Sequence, residues 1–231
     1  MKKVLLLIYI LLPFIGFSQN YKITYSFSMN IDADTIKNTD KRDYYKNYFF
    51  KESKNTFGIL WVNNDNAIFE QQGTLLNSSY RNKYIDNHYI SSINKKVYKS
   101  NHKLFSDKSE YFYFTFSDYQ WQLTNEHKII NGYTCYKAIG SLQALNPKLP
   151  RYYFEAWYCP EIPLSLGPEY FAGLPGLIFE AYFLDGKDLH WKLKSIEKLE
   201  KTDFLFPDVS NSESYKDSYK RTYDFFQSLK K

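Results

Sequence analysis

From Ala156 to Phe183 the chain reads AWYCPEIPLSLGPEYFAGLPGLIFEAYF, and this stretch constrains the fold more than any other. Pro160, Pro163, Gly167, Pro168, Gly173, Pro175 and Gly176 punctuate it between two aromatic-rich runs. Proline fixes one backbone angle and removes a donor, while glycine opens angles closed to other residues. The segment is therefore barred from a central strand and must follow a defined irregular path, with Gly173-Leu174-Pro175-Gly176 as a compact bend feeding Leu177 to Leu184. Such spacing specifies shape rather than chemistry.

The amino end has a different character. Lys2 and Lys3 precede an apolar run from Val4 to Ile15, with Gly16 and Ser18 as small residues before a cleavage point. This predicts a secretory signal peptide over residues 1–18, cut between Ser18 and Gln19. The run is shorter than the roughly 20 residues that cross a bilayer, so a transmembrane anchor is the weaker alternative. No cysteine follows the cut, which disfavours a lipid anchor, and nothing later reaches spanning length. The expected location is the periplasm or the outer-membrane surface. A formal net charge of +5 is too mild and too interspersed to indicate nucleic acid as a partner.

The chain holds 23 Tyr and 19 Phe against two Met, and these aromatics recur at alternate positions, as on a half-buried pleated face. Tyr21, Ile23, Tyr25, Phe27 and Met29 alternate with polar residues and predict an opening strand. Ile31 to Arg42, with Asp32, Asp34 and Asp40, reads as a solvated loop rather than a calcium site, since it lacks the glycine and closing Glu of a calcium loop. Strand-like runs follow at Tyr44 to Lys51, Phe57 to Val62, Ala67 to Gln71, Tyr89 to Tyr98 and Tyr111 to Phe116. Gly73 to Asn87 has no regular reading.

Asn131-Gly132 favours a tight hairpin turn between Tyr119–Ile130 and Tyr133–Ile139. Tyr152 to Tyr158 follows a loop near Leu145 and Asn146, so it is expected to pair with the preceding strand. Pairing about that midpoint sets Cys135 opposite a position near Ala156, and a modest register shift lets it meet Cys159. In an exported chain this predicts a Cys135–Cys159 disulfide. Two independent buried cysteines are the alternative, and a metal site is weakly signalled because further ligands are not placed. His190 shares parity with Lys192 and Lys194, which predicts an exposed or sheet-edge histidine.

The segments WQLTNEHKIINGYTCYKA, AWYCPEIP, LGPEYFAG, GLPGLI (residues 173–178) and LHWKLKSIEK occur in this order, and together they resemble the GLPGLI family of exported proteins from Gram-negative bacteria. The resemblance covers most of the chain after residue 18 and is most specific from Trp121 to Lys198. It supplies no catalytic residues. Such proteins are often encoded near TonB-dependent outer-membrane receptors, so the resemblance implies an envelope role. Cys159 departs from the usual family pattern, and the disulfide is inferred from this chain alone.

Tyr215, Tyr219, Tyr223, Phe226 and Leu229 fall on one helical stripe, with Asn211 or Ser212 as cap and Lys230 and Lys231 at the carboxyl end. The expected architecture is mainly β: a single antiparallel, strongly curved sheet over residues 19–209, then a C-terminal helix or tail over 210–231. The structural motif comprises Pro163, Gly167, Pro168, Gly173, Leu174, Pro175, Gly176, Leu177 and Ile178. Trp157, Tyr170 and Phe171 are the expected contacts for a ligand or partner.

No serine-hydrolase elbow, zinc helix or phosphate-binding loop occurs, and neither a cofactor nor a metal is expected. Glu155, Glu161, Glu169 and Glu180 could include a catalytic carboxylate pair, although surface placement explains them as well. The favoured function is a non-enzymatic binding module for an apolar ligand, lipid or peptide. A structural or assembly partner of a TonB-dependent receptor is one alternative, and a carboxylate hydrolase is another. A deep cavity would favour the first, an exposed apolar patch the second, and converging carboxylates or histidines the third.

Overall fold

The computed structural model describes residues 20–29, 34, 37–44, 46–47, 54–64, 66–73, 87–100, 111–143, 151–184 and 189–228. The expected signal peptide, the loop near Leu145 and most of 44–51 and 73–87 lie outside these residues. Among the described residues twelve strands form one open sheet: β1 (Tyr21–Met29), β2 (Phe57–Val62), β3 (Asn66–Gln72), β4 (His88–Ser91), β5 (Lys96–Ser100), β6 (Tyr111–Thr115), β7 (Gln122–Ile130), β8 (Tyr133–Leu142), β9 (Tyr152–Cys159), β10 (Leu177–Phe183), β11 (Leu189–Lys198) and β12 (Glu213–Ser214). Their order is β12-β6-β5-β4-β3-β2-β1-β11-β10-β9-β8-β7. Every pairing is antiparallel except the two-residue β12, which runs parallel to β6 and makes the sheet mixed rather than wholly antiparallel.

The connectivity forces curvature. β6 and β7 stand ten strand positions apart in the sheet, roughly 48 Å at the usual spacing of ~4.8 Å. Residues 116–121 alone join them, and a chain of that length reaches roughly 25 Å. The sheet must curl until its two ends approach each other. Side chains register the same curl: Phe69 on β3 meets Trp191 on β11 edge to face at 5.2 Å, across two intervening strands.

Alternation explains which side chains fill the concave face. Ile23, Tyr25 and Phe27 point inward from β1, and the register carries this row through Leu60, Phe69 and His88 on one side and Trp191 and Ala181 on the other. The convex face carries polar intervening residues on β1, such as Thr24 and Ser26, but buried Ile59, Ile68 and Tyr98 on β2, β3 and β5. Residues 199–212 cross its far end, where Phe206 packs edge to face on Tyr89 and Tyr98.

Local chemistry accounts for several departures from expectation. The expected loop ending at Arg42 contains a short helix, α1 (Thr39–Tyr44), with Asp40 in its first turn, where a negative charge suits the exposed amide groups. The run from Tyr89 to Tyr98 is a hairpin, not one strand: the chain turns at residues 92–95, with Lys95 at φ 51° and the Ser91 hydroxyl accepting from the Asn94 amide at 3.3 Å. The expected hairpin at Asn131-Gly132 is present, with φ of 52° and 86° as a type I′ turn requires. The carboxyl-terminal helix α2 (Tyr215–Ser228) is capped by Ser214, whose hydroxyl accepts from the Asp217 amide at 3.2 Å, rather than by Asn211 or Ser212. Tyr215 seats it on the concave face, 4.6 Å from the Phe114 ring.

Candidate functional site

The punctuated stretch is the plug of the curled sheet. After β9 the chain folds back on itself: Leu166 bridges Ala172, the Gly173 amide donates to the Ser165 carbonyl at 3.0 Å, and the Ile178 amide donates to the Leu166 carbonyl at 2.9 Å. Leu164, Leu166, Gly167, Pro168, Leu174, Gly176, Leu177 and Ile178 are buried, while Pro163 and Pro175 are exposed. Three contacts fasten the plug where β6 passes into β7. The Tyr119 hydroxyl donates to the Tyr170 carbonyl, the Trp121 indole donates to the Ala172 carbonyl, and Gly173 lies against Phe116. Tyr25 reaches from the centre of the sheet to donate to the Ile178 carbonyl at 2.8 Å.

Two glycines in this plug are required for different reasons. Gly173 has φ 91°, a left-handed conformation that side-chain-bearing residues avoid. Gly176 has no positive φ, but a Cβ there would lie 2.2 Å from the Cys159 carbonyl oxygen, so the need is for close backbone approach.

The three expected contact residues do not share a surface. Phe171 is fully buried, 5.3 Å from Phe154, and belongs to the core. Trp157 lies on the convex face. Tyr170 is on the concave side, where it joins half-buried rings near one end of the curl. Its ring lies 5.7 Å from His88, 6.3 Å from Phe114 and 6.2 Å from Phe183, and Phe112 continues the row at 5.6 Å from Phe114.

His88 was not singled out in the sequence, and it is the unusual member of this group. It is buried at 7% exposure among aromatic rings, and neither ring nitrogen has a hydrogen-bond partner. Lys99 sits directly opposite it in the β4–β5 register and Phe112 beyond that. Burial, and then the positive charge of Lys99, hold the imidazole well below the ordinary histidine range, so it is neutral at neutral pH. Burial also holds the Tyr170 phenol protonated.

A second constellation occupies the convex face of β7 to β11. Glu155 accepts from the Trp157 indole at 3.0 Å and from the Tyr182 hydroxyl, and pairs with Lys137 at 3.2 Å. Glu180 pairs with Lys128 at 2.7 Å, and Lys128 also stands 4.2 Å over the Trp157 ring. His190 is half-buried against Tyr182 at 4.8 Å, not exposed or at a sheet edge, because β11 lies between β1 and β10. Burial, followed by the charge of Lys192, lowers its pKa to about 4. The structure thus brings Glu155 and Glu180 together with a histidine but leaves Glu161, which accepts from the Thr134 amide at 3.0 Å, and Glu169 elsewhere. Each clustered carboxylate is already engaged by a lysine, Glu155 by Lys137 and Glu180 by Lys128.

Cys135 and Cys159 fall one position beyond the Tyr136–Tyr158 pair, directly opposite each other on β8 and β9. The pairing is shifted by three residues from the midpoint estimate, and the two do meet. They are nevertheless buried free thiols and not the expected disulfide. Burial raises both pKa values, that of Cys135 to about 12. Among the described residues no group of three or more His, Cys, Asp or Glu could hold a metal ion, and no helix is long and apolar enough to cross a membrane.

Residues 148–180, which span β9 and the plug, match a family described as "Protein of unknown function (Porph_ging)". In fold the chain is similar to PNGF-II, solved in C2 and P21 crystal forms, at 17% identity and a TM-score of 0.51, covering 88% of this chain. It spans about a third of the length of those PNGF-II chains, 33% and 34%. At this identity the likeness is one of fold. The LolA superfamily protein NE2245 from Nitrosomonas europaea aligns at 7% identity and a TM-score of 0.30, over 80% of this chain and 88% of that one. No curated protein matches the chain in sequence.

Proposed function

We propose that this chain is a non-enzymatic binding module of the periplasm or outer-membrane surface that receives an apolar ligand, a lipid or a peptide, against the concave aromatic face. The observation that carries this reading is His88, a buried imidazole without a hydrogen-bond partner, 5.7 Å from the half-buried ring of Tyr170 and in a row that runs on to Phe112. Buried polar groups are almost always satisfied, and an exception in an aromatic surround marks a place where another molecule supplies the partner. Titration with N-phenyl-1-naphthylamine, a neutral apolar fluorophore, tests it. Saturable binding at one site, weakened by Phe112→Lys, supports the reading; fluorescence that rises without saturation, or is indifferent to that substitution, would overturn it.

The receptor-partner alternative draws on β7, which among the described residues pairs only with β8 and exposes Leu123 and Ile129. An open strand edge can accept a strand from another protein. Co-purification of an outer-membrane receptor that is lost when Ile129 becomes Lys would favour this alternative. The hydrolase alternative has its converging carboxylates, but both are already occupied by ion pairs with Lys137 and Lys128.

A further inference from the structure

Building on the binding reading, we infer that the ligand is an amphiphile with an anionic oxygen headgroup, which His88 and Lys99 hold while its chain lies along Tyr170 and Phe112. A neutral imidazole offers one N–H donor and one acceptor nitrogen. In His88 both are buried and unused, which is unfavourable for the empty protein. Lys99 lies across the β4–β5 pair from it and puts a positive charge on the same side of the sheet. A carboxylate or phosphate monoester oxygen accepts from the imidazole and is attracted by the ammonium. An uncharged hydroxyl gains much less from the second group. The adjoining row is apolar: Phe69 lies 6.4 Å from the His88 ring, and Tyr170 and Phe114 continue beyond it. A polar pair set among aromatic rings suits a single chain with a charged head better than a peptide, whose backbone groups would need partners along its whole length.

Displacement of N-phenyl-1-naphthylamine from the full chain by dodecanoic acid, dodecyl phosphate and dodecanol tests this, with the variants His88→Leu and Lys99→Met alongside. A charge-assisted hydrogen bond predicts that the better anion binds about ten- to a hundredfold tighter than the alcohol. Both variants should erase most of that preference while the alcohol still binds. Removing an unsatisfied buried polar group should also raise the melting temperature of His88→Leu, an effect opposite to that of losing a structural contact. Preference for dodecanoic acid would indicate a free acyl chain, and preference for the phosphate a phospholipid-type head. Equal binding of acid, phosphate and alcohol would overturn the headgroup assignment and leave the apolar site standing. Failure of the fluorophore and all three amphiphiles to bind would overturn both. A lowered melting temperature in His88→Leu, with the anion preference retained, would show that the histidine serves the fold.

Discussion

The Trp121 indole Nε1 donates a 2.9 Å hydrogen bond to the carbonyl of Ala172, joining the entry of β7 to a fully buried residue of the plug. This contact holds the curl shut at the point where the sheet's two ends approach. Trp121→Phe keeps most of the ring and removes the donor, leaving a buried carbonyl unsatisfied. The expected loss is about 1–3 kcal/mol, seen in urea titration as a lower midpoint with an unchanged slope. An unchanged midpoint would show that the latch contributes nothing.

Gly173→Ala and Gly176→Ala should both destabilise, but unequally. At Gly173 the penalty is conformational, about 1–3 kcal/mol for a side-chain-bearing residue held at positive φ. At Gly176 the added methyl runs into the Cys159 carbonyl, and backbone must move. The second variant should melt lower than the first. The reverse order in thermal melts would contradict the steric account.

The thiols should be silent in the native protein. With both sulfurs buried and their pKa values raised, Ellman's reagent should react with neither Cys135 nor Cys159 until the chain is denatured, and then with both. Added reductant should leave the melting temperature unchanged. Finding no titratable thiol in the denatured, unreduced protein would refute this.

Acid should weaken the fold as the pH falls below 6.5. His88 and His190 both have folded pKa values below the ordinary 6.5, that of His190 about 4. Above pH 6.5 they are neutral in folded and unfolded chains alike and contribute no pH dependence. As pH falls from 6.5 toward 4 the unfolded chain takes up protons that the folded chain refuses, so stability is lost at up to about 1.4 kcal/mol per pH unit for each histidine. Melting temperatures measured from pH 7.5 to 4 should decline through this window, and His190→Gln should make the decline shallower. A flat profile above pH 5 would sink the idea.

Features set by neighbours in sequence were legible from the chain alone. The Asn131-Gly132 turn and the alternation of Tyr21 to Met29 were of this kind, because local backbone preference and period-two burial determine them. The irregular path of the GLPGLI segment was also readable from its prolines and glycines, though not its place as a plug, since that depends on Trp121 and Tyr119, which lie far away in sequence. The Tyr89–Tyr98 hairpin was missed because no glycine marks its turn; Lys95 adopts the positive φ instead. The cysteine pair needed a register that only the strands' packing supplies. His88 left no signal at all, for an isolated histidine beside an irregular stretch looks like any other polar residue until its surroundings are known.

The place of β1 in the sheet orders events in time. It is the earliest strand among the described residues, yet it lies at the sheet's middle, with Tyr21 beside Val62 on one flank and beside Lys198 on the other. A nascent chain can assemble β1 to β6 as one sheet and β7 to β11 as another, each from near neighbours in sequence. The seam between β1 and β11 must wait until residue 198 has emerged, so the exposed flank of β1 remains a template for any other strand until β11 is available. Synthesis that stalls before β11 therefore leaves an unfinished sheet prone to pair with its neighbours, and fast completion of the chain is itself a protection against aggregation.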